Sequence, residues 1–321
     1  MKEKNTVWIK IALFSLMAGG ILTSAALVAL QFDLKKLNTE HYTTQTYQIT
    51  EAFQNIEIHI PEYNIRFLTS DSDDCNIVYH KKEQLFPSIQ VEDNTLTIQA
   101  IEHGKWYDWL QFNLFGEEPE FFIYLPQKEY EALQINTRSG DIELAEAFTF
   151  NELNIKAISG NIYTTATAKE RISAETVSGN IYLGDTSIQS GKLSSTSGQI
   201  RLSSINCNTL LDTSTVSGEL EATDLTCSNF TMDSTSGNIF LENVSSTTIH
   251  LESVSGNIHL KNSDADTLRL QTISGDVEGT LLTEKIFLTD TRSGNIRVPS
   301  SLSGGKCEIK TTSGNIDISV K

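Results

Sequence analysis

The sequence predicts an all-β protein: a β-solenoid of about ten coils of 19–20 residues, with an N-terminal β cap and one transmembrane helix in front of it. A Ser-Gly step recurs at intervals of 19 or 20 residues through the second half of the chain, and short segments of period two flank each step. A fixed period near 20 with two alternating segments is typical of one β-coil per repeat. The repeated glycines are Gly140, Gly160, Gly179, Gly198, Gly218, Gly237, Gly256, Gly275, Gly294 and Gly314.

Each coil is predicted to hold two strands. After each Ser-Gly step comes a polar residue and then an aliphatic one, as in Asn180 and Ile181, and the alternation that follows fits a half-buried strand. Apolar residues six and four positions before most of the serines predict the second strand, and a small, usually hydroxylated residue two positions before each serine predicts an internal Ser/Thr ladder. The alternation of inward-facing and outward-facing residues shifts by one residue at this corner, so the backbone must bend there. We expect glycine to supply the conformational freedom that the bend needs.

The polar residue after each glycine is usually Asn or Asp, which suits either a ladder of stacked amides or a row of calcium ligands. Calcium-binding β-rolls use a glycine-rich repeat of about nine residues, and the coils here are about twice as long. The pattern therefore favours the structural ladder, and the sequence predicts neither a metal site nor a cofactor.

The N-terminus is predicted to anchor the protein. Residues 1–10 are a short cytoplasmic segment, and residues 11–32, which carry no charge, are long enough as a helix of about 33 Å to cross a bilayer. A cleavable signal peptide is the alternative, because Ala26 and Ala29 offer small residues near the end of the segment. We expect a single-pass cell-membrane protein with an extracytoplasmic β domain, secreted if the segment is cleaved.

Three further segments follow the anchor. Residues 33–46 read as a polar juxtamembrane linker, residues 47–135 as an N-terminal β cap of short strands, and residues 136–321 as the solenoid repeats. The last coil contains Ile318 and Val320 and has no visible cap. We expect it to leave an open strand edge that is charged, covered by a partner, or paired end to end.

The chain is acidic, with a formal charge of −17. Residues 1–32 hold three Lys and one Glu, so the rest carries 21 basic and 40 acidic residues, a charge of −19. This charge disfavours nucleic acid as a partner. Envelope proteins, wall polymers or cationic peptides suit it better, and the sequence does not define an oligomeric state.

One outward column of the predicted coils is chemically heterogeneous, which indicates a recognition surface. No metalloprotease, nucleophile-elbow or phosphate-loop motif occurs, and the regular intervals leave no room for loops that would wall a cleft, so we predict no enzyme and no catalytic residue. A carbohydrate-active solenoid using Glu143, Glu221 and Glu278 is one alternative, and a structural spacer assembling through its open end is another. The predicted recognition column comprises Tyr163, Tyr182, Arg201, Phe240, His259 and Arg297.

Two of the four cysteines are predicted to be neighbours. Cys207 and Cys227 each lie ten residues after a repeat serine, which places them on adjacent coils about 5 Å apart. That separation allows a disulfide, and two buried thiols are the alternative.

The extracytoplasmic part resembles the putative-adhesin family of bacterial β-strand repeat proteins, a domain of unknown function whose members include LiaG-like envelope proteins. The segment IEIHIPEYNIRFL, the strand FFIYLP and the recurring TSGNI or VSGNI carry the resemblance, which runs from about residue 47 to the end. It implies a β-solenoid with a non-enzymatic role as an adhesin, or in binding or stress sensing at the cell envelope.

Overall fold

The repeat region folds into stacked parallel β-coils, as the sequence predicts. The structure is a computed structural model that describes residues 16, 43–81, 85–102 and 119–321. Contacts divide the chain into two units, of which the larger comprises Thr44–Lys81, Leu85–Glu102 and Glu118–Lys321, and the smaller lies outside the described residues except for Leu16 and Thr43. The larger unit is an all-β solenoid of about nine turns.

The predicted membrane anchor, residues 11–32, lies outside the described residues except for Leu16. Within the part of the chain that the structure describes, no helix has the length and apolar character needed to span a bilayer.

The described strands follow one another along the chain in three groups. The first group is β1 (Thr43–Ile49), β2 (Asn55–His59), β3 (Asn64–Thr69), β4 (Cys75–Lys81), β5 (Leu85–Glu92), β6 (Thr95–Glu102), β7 (Glu120–Leu125) and β8 (Glu129–Asn136). The second is β9 (Ile142–Leu144), β10 (Thr149–Lys156), β11 (Ile162–Thr164), β12 (Thr167–Thr176), β13 (Ile181–Ser195), β14 (Ile200–Thr215), β15 (Leu220–Ser234), β16 (Ile239–Ser253) and β17 (Ile258–Thr272). The third is β18 (Val277–Leu281), β19 (Lys285–Ser293), β20 (Ile296–Arg297), β21 (Gly305–Ser313) and β22 (Ile316–Val320).

The coils have bends in addition to the predicted corner at the Ser-Gly step, three in all. Along β13 the alternation of buried residues breaks after Leu183, after Ile188 and after Ser195, so the coil has three short faces around one apolar core. The first bend lies at a residue in the left-handed region, where Asn and Asp are tolerated better than most residues. This column has φ between 48° and 55° and comprises Asp185, Ser204, Asp224, Asn243 and Asn262.

Buried hydroxyls line the corner beside each Ser-Gly step, which confirms the predicted Ser/Thr ladder. Ser195 Oγ donates to the Gly179 carbonyl of the preceding coil at 3.0 Å and accepts the Gly198 N–H at 2.8 Å. The same pair of bonds recurs at Thr176, Thr215, Ser234 and Ser253. Each hydroxyl therefore satisfies two backbone groups that would otherwise be buried without a partner.

The repeated glycines are required for a different reason from the predicted one. Of the ten, only Gly140 has a positive φ, of 104°. A Cβ on each of the other nine would lie 1.6 to 2.1 Å from the carbonyl oxygen of the repeat glycine in a neighbouring coil. Stacking leaves no space for a side chain at this corner, so close backbone approach rather than bending freedom selects glycine.

The Asn column forms a structural ladder. The expected side-chain amide bonds occur where Asn161 Nδ2 donates to Asp141 Oδ1 and Asn315 Nδ2 donates to Asp276 Oδ1, and a bond from side chain to backbone recurs more often. The side-chain oxygen of one coil accepts the backbone N–H of the next, as in Asn180 N–H to Asn161 Oδ1 at 2.8 Å and Asn257 N–H to Asn238 Oδ1 at 2.9 Å. Asp276 continues the column, because its N–H donates to Asn257 Oδ1 and its Oδ1 accepts the N–H of Asn315.

The last coil in sequence is not the last coil in the stack, so the prediction that Ile318 marks the open end is wrong. β17 pairs with β18 and β21, β18 pairs with β22, and β19 and β20 then pair with β21 and β22. The coil Gly305–Val320 therefore lies between its two predecessors. Gly314 stacks on Gly275, and Gly294 stacks on Gly314, so β19 and β20 form the end of the stack.

The opposite end of the stack closes with a change of strand direction. β2 and β3 continue the parallel stack from β8 and β9, and β6 and β7 pair with β2 and β3. β5 and β4 then add to β6 and β7 in antiparallel fashion.

Candidate functional site

An unbroken ladder of outward side chains runs along the face of the coils that follows each Ser-Gly step. All six residues of the predicted recognition column lie on it, because parallel in-register pairing places equivalent positions of successive coils side by side. In spatial order the ladder is Phe122, Arg66, Glu143, Tyr163, Tyr182, Arg201, Glu221, Phe240, His259, Glu278, Asp317 and Arg297.

Arg297 occupies a different place in the ladder from its place in sequence. Insertion of the last coil puts Asp317 between Glu278 and Arg297, and the Arg297 guanidinium lies 3.2 Å from the Asp317 carboxylate. Arg297 is therefore remote from the aromatic members, and it marks the end of the stack.

The centre of the ladder is held by side-chain contacts between coils. The Phe240 and His259 rings stack with centroids 4.8 Å apart and planes within 4°. His259 Nδ1 lies 2.9 Å from Glu278 Oε1, and Arg201 Nε donates to Glu221 Oε2 at 2.8 Å. These contacts fix the rings and carboxylates in one arrangement.

The two tyrosines of the predicted recognition column are organised differently from Phe240 and His259. Tyr163 and Tyr182 are register neighbours, and Tyr163 is 40% exposed. The Tyr182 hydroxyl lies 2.4 Å from where a Cβ on Gly184 would be, so this tyrosine lies over its own coil. Of the described ladder residues, Phe240 and His259 form the stacked pair.

A groove of about 690 Å³ lies over the stacked pair. Glu221, Phe240 and His259 line it from one column of register partners, and Glu242 and Lys261 line it from another. The remaining acidic members of the lining are Glu219, Glu278 and Asp317. The groove thus combines an aromatic surface with five carboxylates and one lysine, and the Lys261 ammonium already contacts Glu242 at 2.5 Å.

A second acidic cluster, not predicted from the sequence, lies on another face. The Asp233 carboxyl has a raised pKa because burial removes water from it, and nearby His250 opposes the shift. The Nε2 atom of His250 is buried without a hydrogen-bond partner among the described residues and lies 3.8 Å from Glu252 Oε2. Asp233 and Glu252 occupy the same position of adjacent coils. This equivalence is the signal in the sequence from which the cluster could have been found.

The predicted neighbours Cys207 and Cys227 are register partners, and both are buried as free thiols. Contact with the Cys207 thiol and burial both raise the pKa of Cys227, which keeps that group protonated. The pair packs as two small apolar side chains in the core.

A buried ion pair lies near the end of the stack. Lys285 Nζ contacts Asp264 Oδ1 at 2.5 Å and Thr283 Oγ1 at 2.6 Å, with 3% of the lysine side chain exposed. Lys285 begins β19, so the pair joins the terminal strand to β17. Nothing in the repeat pattern signals it, because the register partner of Lys285 on the adjoining strand β21 is Gly305 and no other coil offers a lysine here.

Among the residues that the structure describes, no group of three or more His, Cys, Asp or Glu is arranged to hold a metal ion.

Comparison with known proteins gives a family and a fold. The family profile described as Toastrack DUF4097 matches residues 53–211 and 208–321. A solved structure of a putative adhesin from Parabacteroides distasonis is similar at a TM-score of 0.51 and 15% identity, covering 87% of this chain and 98% of that one. A putative adhesin from Bacteroides fragilis has a TM-score of 0.40 and 13% identity over 88% and 98% of the two chains. A search of curated proteins finds no match.

Proposed function

Because the chain belongs to the Toastrack DUF4097 family, we propose that it is a non-enzymatic, adhesin-like recognition protein of the bacterial cell envelope, and that its ligand is a cationic peptide bound in the groove over Phe240 and His259. The observation that carries this proposal is the stacked ring pair surrounded by carboxylates.

The chemistry of the groove supports a cationic ligand. An Arg or Lys side chain over the face of an aromatic ring gains a cation–π attraction, and a guanidinium forms strong hydrogen bonds with carboxylates. Glu242 and Glu278 line the same groove as the two rings, so the groove offers a cation both kinds of group.

The charge of the whole domain supports the same ligand class. The −19 charge of residues 33–321 attracts cations over long range and raises their rate of encounter. Such attraction between exposed charges is screened by salt, so binding should weaken as ionic strength rises.

The non-enzymatic assignment is supported by the contacts of the candidate carboxylates. Glu221 is paired with Arg201, and Glu278 with His259, so the carboxylates that a glycosidase would use are already engaged. They are better placed to shape an acidic surface than to exchange protons with a substrate.

The experiment measures binding of a fluorescent Arg- and Lys-rich peptide to the full-length chain in detergent, at low and high salt. Phe240→Ala should weaken binding about tenfold, since it removes the ring, and Tyr163→Ala, on the same ladder outside the groove, should leave it unchanged. Equal affinity for Phe240→Ala and the parent chain would refute the proposal. Salt-insensitive binding to a purified wall polymer would indicate a different ligand class.

Membrane anchoring is part of the same proposal and rests on the uncharged segment 11–32. An anchored chain should stay with membranes after carbonate extraction, and its β domain should be digested by protease added outside the cell. Release of a shortened chain into the medium would instead indicate cleavage at the small residues near Ala29.

A further inference from the structure

The solenoid has an open end at β19 that is not covered by another strand of the described chain. β19 pairs with β21 along one edge, and no described strand pairs with its other edge. The core is open here too, because Ile296 is 46% exposed whereas Val277 and Ile316, in the same column, are 0% exposed.

Apolar side chains gather at this end. Ile286, Leu288 and Leu302 are 42%, 51% and 99% exposed. A free strand edge beside exposed apolar residues readily pairs with another strand. Between Lys285 and Asp290, β19 carries no charged residue.

The charged residues of β19 are arranged so that they complement those of a second, antiparallel copy of β19. Asp290 and Arg292 both point outward, and neither forms an ion pair with another described residue. Lys310, the register partner of Asp290 on β21, donates instead to Glu308 at 2.5 Å. In an antiparallel pair centred on Thr291, each Asp290 lies opposite the partner's Arg292, and each Arg292 lies opposite the partner's Asp290.

We propose that β19 pairs in antiparallel fashion with β19 of a second copy of the chain, about a two-fold axis at Thr291, so that two solenoids join end to end. Two-fold contacts are self-complementary, and the Asp290–Arg292 pattern provides that complementarity. Opposite charges facing each other across strands are favourable, and like charges in the same place are unfavourable. The inference is independent of the cationic ligand, whose groove lies on the outer face.

The first test follows the oligomeric state of the full-length chain in detergent by sedimentation across a concentration series. The parent chain should form dimers. Asp290→Arg places like charges opposite each other and should abolish the dimer, and the double exchange Asp290→Arg with Arg292→Asp should restore it. Gln271→Arg introduces the same side chain in the same column of an internal coil and should not affect dimerisation.

The second test does not depend on the folding of the charge variants. With copper phenanthroline as oxidant, Thr291→Cys should form a disulfide-linked dimer, because each Thr291 faces its own counterpart at the axis. Leu288→Cys is more exposed but lies away from its counterpart, so it should not cross-link through this interface. A monomer at all concentrations, failure of the double exchange to restore dimers, or equal cross-linking of the two cysteines would overturn the proposal.

Discussion

The stacking of repeat glycines leads to a sharp prediction for Gly237→Ala. A Cβ at this position would lie 1.6 Å from the Gly218 carbonyl oxygen and 2.5 Å from its carbon. Both are backbone atoms, and they cannot rotate away. The two coils must therefore separate locally by about 1.5 Å to reach an ordinary carbon–oxygen contact of roughly 3.2 Å.

The cost follows from the hydrogen bonds that such a separation breaks. Ser236 N–H to the Val216 carbonyl, Leu220 N–H to the Asn238 carbonyl, and Ser234 Oγ to the Gly218 carbonyl join the two coils at this corner. At about 1 kcal/mol each, their loss destabilises the fold by about 3 kcal/mol. For a domain of this size we expect the melting temperature to fall by roughly 6–9 °C.

Gly184→Ala is the matched control. Its Cβ would meet the Tyr182 hydroxyl, the free end of a side chain that can rotate, so we expect a change within about 0.5 kcal/mol. Circular dichroism gives both melting temperatures, and hydrogen exchange should show faster exchange in residues 216–238 of Gly237→Ala. Equal stability of the two variants would refute the argument that close stacking selects glycine.

Three further predictions concern charge and the Asn ladder. Lys285→Met leaves Asp264 buried without its cation and should cost about 3–5 kcal/mol in urea unfolding, whereas the same change in an exposed ion pair should cost less than about 1 kcal/mol. Asn180→Ala removes the acceptor for an N–H of the next coil and should cost about 1 kcal/mol, and Asn180→Asp, which keeps that oxygen, should restore most of it. Hydrogen bonds from Lys310 and Lys306 hold the pKa of Glu308 at about 2. The contribution of Glu308 to stability should therefore be present above pH 4.5 and be lost as the pH falls towards 2. In an NMR titration, Lys310→Gln should raise the pKa of Glu308.

The sequence predicts the coil architecture well because one period carries three independent signals. The glycine, the hydroxyl two positions before its serine, and the aliphatic column each repeat, and all three occupy the positions that stacking requires. The first bend was missed although it has a signal, since Asp185, Ser204 and Asp224 each follow a repeat glycine by six residues. Asp and Asn are also common on outward strand positions, so the column is conspicuous only once the bend is known.

The ladder could be predicted residue by residue, but the groove and the end of the stack could not. Periodicity identifies which residues share a column, and so it places Phe240 beside His259. It assumes, however, that coils stack in sequence order. The segment between β20 and β21 breaks that assumption, and only the pairing of β21 with both β17 and β19 reveals it.

The insertion of the last coil has a consequence for how the chain folds as it is synthesised. Coils up to β18 can each add to a neighbour that has already appeared. The segment Lys285–Arg297 is different, because the coil on which it rests is synthesised after it. The final portion of the protein must therefore assemble in one concerted step, and deleting the last 17 residues would remove the support of two coils rather than one.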